Sequence, residues 1–143
     1  MKDLQLQVFP DGAEPDWTEL MASGDPVKMC LLSLRGKVPV SRIVRNAALA
    51  GVSVFLCCSE NAHEIEDAAD EILEDERRLN VLTTAHAGEA PEDIADLVEV
   101  QNRLLAGSGL LAFVDTTDRQ SLEVCQILRE RWEHLGQSIA KSR

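Results

Sequence analysis

The spacing of apolar positions changes in a regular way along the chain. Leu4, Leu6 and Val8 alternate with Gln5 and Gln7, the two-residue period of a strand with one wet face, so an edge strand is expected over Leu4–Phe9. A turn-rich stretch from Pro10 to Pro15 follows. Asp16 with Glu19 three residues later then has the cap-plus-acid spacing that opens a short helix. From Val27 onward, short apolar runs alternate with helix-period segments. The pairs are Val27–Leu34 and Ser41–Ala50, Gly51–Cys58 and Asn61–Arg78, Leu79–Thr84 and Pro91–Leu105, and Leu110–Asp115 and Asp118–Ile139. Runs without alternation are strands covered on both faces. Asn61 with Glu64 is spaced as a capping box, and Pro91 with Glu92 and Asp93 suits a helical first turn.

A βαβαβαβα order calls for parallel strands with a crossover helix between neighbours, which places helices on both faces of the sheet. The expected fold is α/β: a three-layer Rossmann-like or flavodoxin-like domain with a mainly parallel sheet of four to five strands. The 143 residues and their 45% apolar content suit one domain. Residues 1–26 supply the edge strand and short helix, and residues 27–143 the core. Strand orders 3-2-1-4 and 2-1-3-4 both fit. On the last helix Cys125, Leu128, Trp132, Leu135 and Ile139 recur at helical spacing, and the distal part of this stripe (Trp132, Leu135, Ile139) is a candidate homodimer seam.

Charge sharpens the picture. The net charge is −11, which with five aromatic residues argues against nucleic-acid binding. No apolar run approaches the ~18 residues of a membrane span. The N-terminal segment carries acids and prolines instead of a basic start and an apolar run, so a cytoplasmic location is expected. The charge is unevenly spread. Residues 26–59 hold five cations and no acid, and four of the five, Arg35, Lys37, Arg42 and Arg45, lie within eleven residues. That stretch follows the first core strand, where open parallel sheets bind ligands and where a helix offers its free N–H groups to anions. Arg35, Lys37, Ser41 and Arg42 are therefore the candidate anion-binding residues. The segment lacks the glycines of a G-x-G-x-x-G turn or a P-loop. By contrast, residues 60–76 hold nine acids and no cation, a face for solvent or for a basic partner.

Candidate chemistry comes from topology. Cys58, His86 and Asp115 close or follow the second, third and fourth core strands, and all belong to the carboxyl edge. A thiol, an imidazole and a carboxylate there form a nucleophile, base and orienter set. Adjacent Cys57 and Cys58 point to opposite faces, which also suits two small core fillers. The four cysteines are expected as free thiols, and no His or Cys spacing supports a metal site.

The element order is shared with flavodoxin-like, receiver-like and sulfur-relay-like domains. A receiver domain needs a clustered acidic pair after the first strand, where Arg35 and Lys37 stand here. Ala47–Leu56 resembles the helix-to-strand step of sulfur-relay proteins, a packing pattern general to α/β domains, and no family is assigned on it. The resulting expectation is a small cytosolic binding or interaction module for a partner protein or small anion, without catalysis, cofactor or metal. The alternative is a thiol-dependent enzyme or sulfur carrier using Cys58 with His86.

Overall fold

The computed structural model describes residues 6–22, 24, 26–34, 40–105 and 109–141, with backbone alone over 134–141. Ten elements alternate among them: β1 (Leu6–Pro10), α1 (Trp17–Ala22), β2 (Met29–Ser33), α2 (Val40–Leu49), β3 (Val54–Cys58), α3 (Ala62–Asp75), β4 (Leu82–His86), α4 (Pro91–Leu104), β5 (Leu110–Val114) and α5 (Arg119–Lys141). The strands form one sheet in the order β1-β5-β2-β3-β4, with every pairing parallel. Counted from β2, the core order is 3-2-1-4, and β1 lies outside β5 as the expected edge strand. Leu4 and Gln5 lie outside the described residues.

Burial follows the apolar pattern. Every residue of β2, β3 and β5 is buried, whereas the edge strands β1 and β4 are only partly covered. On one face Cys30, Leu32, Phe55, Cys57 and Phe113 pack against α1, α2 and α3. On the other, Met29, Leu31, Leu56, Cys58 and Ala112 pack against α4 and α5. The helices change faces because the chain first builds outward from β2 to β4 and then returns to β5 on the other side of β2. With crossovers of constant hand, that reversal moves the helix to the opposite face. Cys57 and Cys58 thus occupy different layers, as the period of two requires. Phe113 stacks on Phe9 at 5.1 Å and on Trp17 at 6.0 Å, contacts worth about 0.5–1.5 kcal/mol each beyond area burial. They tie β1 and α1 to the central strands.

Element ends show where local signals prevailed. Asp16 caps α1, its Oδ1 accepting from the Glu19 N–H at 3.1 Å, and Pro91 opens α4. The capping box at Asn61 does not form, for its side chain makes no cap bond. Ser59 performs the turn instead: its φ is +83°, its hydroxyl donates to the Leu34 carbonyl at 3.0 Å, and its Oγ accepts from the Asn61 N–H at 3.3 Å. A left-handed serine costs about 1–2 kcal/mol, and those two bonds offset it. Helix α3 stops at Asp75 instead of Arg78 because Arg77 turns left-handed at φ +56°. Leu79 is then left 81% exposed, so β4 starts at Leu82 and includes His86.

Candidate functional site at the carboxyl edge

In the 3-2-1-4 order the switch point falls between β2 and β5, whose following helices lie on opposite faces. This is the crevice where open α/β sheets take ligands. At its base the Asp115 N–H donates to the Ser33 carbonyl at 3.0 Å, carrying the β2–β5 pairing past the last ladder residue. Ser33 and Ser121 are fully buried and Asp118 nearly so. Their side chains form a directed chain. Ser33 Oγ and Ser121 Oγ are 2.6 Å apart, and Ser121 Oγ lies 2.7 Å from Asp118 Oδ2. A carboxylate only accepts, so Ser121 donates to Asp118 and Ser33 donates to Ser121. Asp118 also accepts from the Ser121 N–H at 3.2 Å, capping α5. Further out, Asp11 accepts from the Thr116 N–H at 2.9 Å and the Thr116 hydroxyl at 2.5 Å, while its own N–H donates to Val114 O. The Thr116 hydroxyl, then its N–H, hold the Asp11 carboxyl below its usual range.

Of the anion-binding candidates, Ser41 and Arg42 are exposed on the first turn of α2, and Arg35 and Lys37 lie outside the described residues. Arg42 pairs with Glu14 at 2.5 Å, and Arg45 with Glu76 at 2.8 Å. Each pair is exposed on at least one side, so about 0–1 kcal/mol is its scale. Arg42 is therefore engaged within the chain.

The thiol set divides. Cys58 and His86 are register neighbours on β3 and β4 and share a face. Asp115 follows β5, three strand spacings from β4, or about 14 Å, and binds the Thr117 N–H and hydroxyl at 2.8 and 2.6 Å. The expected convergence of Asp115 with His86 does not occur, because the return crossover puts β2 and β3 between them. Glu89 takes that place: its Oε2 lies 2.6 Å from His86 Nδ1, and His86 Nε2 lies 2.8 Å from Thr84 Oγ1. With Nδ1–H donating to Glu89, Nε2 accepts from the Thr84 hydroxyl, so His86 meets an alcohol and not the thiol. The Glu89 carbonyl accepts from Gln120 Nε2 at 2.7 Å, which anchors this turn to α5. Glu89 was legible only as an acid three residues beyond His86, with Gly88 between them at φ +71°.

All four cysteines are buried and free. Burial pushes Cys57 up to about 12, helped by Glu66 and Asp70 on α3. Burial raises Cys58 further, with Cys57 and then Glu89 adding to it. A raised thiol is a poor nucleophile because the thiolate is the reactive form. Cys30 is also raised by burial and then by Cys57, and Cys125 by burial against the opposing pull of Arg129. Among the described residues no group of three or more His, Cys, Asp or Glu side chains could hold a metal ion, and no helix is long and apolar enough to cross a membrane. Trp132 is buried in the core cluster that also holds residues of the sheet and α4, and its Nε1 has no hydrogen-bond partner among the described residues; the side chains of Leu135 and Ile139 lie outside the described residues.

Sheet order, layers and edge define a three-layer α/β domain of the Rossmann-like or flavodoxin-like kind. No family model matches the chain, and neither a curated protein nor a solved structure matches it.

Proposed function

We propose that this chain is a non-catalytic α/β binding module that takes a small anion at the β2/β5 switch point through Arg35, Lys37 and the first turn of α2. The carrying observation is the strand order: β2 ends at that crevice, and the segment leaving it, between Leu34 and Val40, carries Arg35 and Lys37 and no acid. The α2 N-terminus adds free N–H groups and a favourable dipole. The bonded rim of Asp11, Thr116, Ser33, Ser121 and Asp118 supports binding over turnover, since each of these polar groups already has a partner within the chain.

Isothermal titration with inorganic phosphate and sulfate tests the reading. Saturable binding that weakens at least tenfold in an Arg35→Ala/Lys37→Ala variant, and weakens with salt, is expected. Binding unchanged by that variant would refute it. In the same reading the distal part of α5 is the surface for a second copy or another protein. Its 23 residues run about 35 Å, roughly twice the length of a five-residue strand, and sedimentation of Leu135→Glu against the parent checks it. The rival, a thiol enzyme or sulfur carrier, has the Cys58–His86 register pairing in its favour and the burial of Cys58 against it.

A further inference from the structure

The two faces of the sheet are unequally covered. Three helices lie on the Phe113 face and two on the Ala112 face, so the outer edge at β1 is left half-open on the second side, where Leu6 and Val8 are only partly buried. Between β1 and α5 runs a groove of about 500 Å³, lined by Val8, Pro10, Val114 and Leu122, with Thr116, Cys125, Gln126 and Arg129 completing it. Leu122 is 46% exposed there. That volume lies within the range that holds a small organic molecule.

The charge of this lining is unlike that of the chain. Twenty-five acids stand against fourteen Lys and Arg overall, yet among the described residues no carboxylate lines the groove, and the one charged side chain among them is a guanidinium. The neighbouring arginines of α5 are occupied: Arg119 by Glu123, and Arg131 by Asp96 and Glu99. Arg129 makes no ion pair or hydrogen bond with any described residue. Its five donors match a planar carboxylate in bidentate fashion. We propose that this groove binds a small amphipathic carboxylate, with the hydrocarbon against Val8, Pro10 and Leu122 and the carboxylate on the Arg129 guanidinium. This site is separate from the anion reading above, for it lies on the β1 side of β5 and uses none of Arg35, Lys37 or Ser41.

Titration of the intact chain with sodium octanoate, followed by calorimetry and by amide chemical shifts, tests the proposal. Octanoate should bind at least about tenfold more tightly than 1-octanol, the margin of a charge-assisted bidentate pair, and should move amides of β1 and of α5 around Leu122 and Gln126. Arg129→Gln, a change at an exposed position, should erase the preference for octanoate over octanol while leaving the urea midpoint in place. An Arg35→Ala/Lys37→Ala variant should keep octanoate affinity, which separates failure here from failure of the anion reading. Absence of binding, equal affinity for acid and alcohol, or shifts confined to other surfaces would overturn the proposal. So would concentration-dependent self-association lost in Leu122→Glu, which would assign the groove to a second copy.

Discussion

Replacing Ser121 by alanine removes the middle hydroxyl of the chain Ser33, Ser121, Asp118, and the direction of that chain sets the cost. Among the described residues Ser33 Oγ has one partner, Ser121 Oγ at 2.6 Å, so Ser121→Ala leaves a fully buried hydroxyl without that acceptor, at about 1–3 kcal/mol. It also removes the 2.7 Å bond to the Asp118 carboxylate, a contact of the kind worth about 1.5–3 kcal/mol. Allowing for relaxation, about 3 kcal/mol is expected. Ser33→Ala removes only the terminal donor, after which Ser121 still donates to Asp118, so about 1 kcal/mol is expected. The sharper consequence is in the double variant. With Ser121 already absent, Ser33→Ala deletes the orphaned hydroxyl, and the double variant should be more stable than Ser121→Ala alone. Urea unfolding followed by far-UV circular dichroism reads all three free energies, and the two single variants should differ in melting temperature by roughly 8 °C at about 4 °C per kcal/mol for this size. If Ser33→Ala proves the costlier single change, or the two changes add, the donor order assigned to the chain is wrong.

Three further outcomes are expected. Gly51 stands at φ +113°, and a Cβ there would lie 2.7 Å from the Pro26 Cβ, so Gly51→Ala should destabilise by about 2–4 kcal/mol through left-handed strain and overpacking together. Denaturant melts check it, and a neutral change would mean the α2–β3 turn relaxes freely. The Asp11 carboxyl is lower in the folded chain than in the unfolded one, so its contribution is present above the ordinary value of 3.8 and is lost as pH falls through the folded value. Urea midpoints from pH 7 to pH 2 should therefore show a component of acid destabilisation that disappears in Asp11→Asn. With Cys57 near 12 and Cys58 higher still, a thiol reagent at pH 8 should label no cysteine faster than the chain opens. A Cys58 that reacts promptly in the native state would revive the thiol enzyme.

Much of the architecture was legible because hydrophobic period is a local property. β2, β3 and β5 are continuous apolar runs that require cover on two sides, and their residues are buried without exception. Cys57 and Cys58 separate into two layers by the period of two alone. Boundaries were less legible where backbone conformation intervened. The Arg77 turn moved β4 to Leu82, and the chain enters α3 through a Ser59 turn without the side-chain cap that the spacing of Asn61 and Glu64 predicts.

The parallel strands, the helices between them and the rim where their carboxyl ends gather could be read from local pattern, since each depends on residues close together in the chain. Which tips on that rim are neighbours is set only when the sheet assembles. Strand order is a choice among long-range pairings whose local patterns are identical. That choice put two strands between His86 and Asp115, while the imidazole's Glu89 partner is local, three residues along the chain. The same choice also joined Ser33 to Ser121 across 88 positions and Asp11 to Thr116 across 105. No periodicity encodes such contacts, because they exist only once a sheet has fixed the distance between its strands.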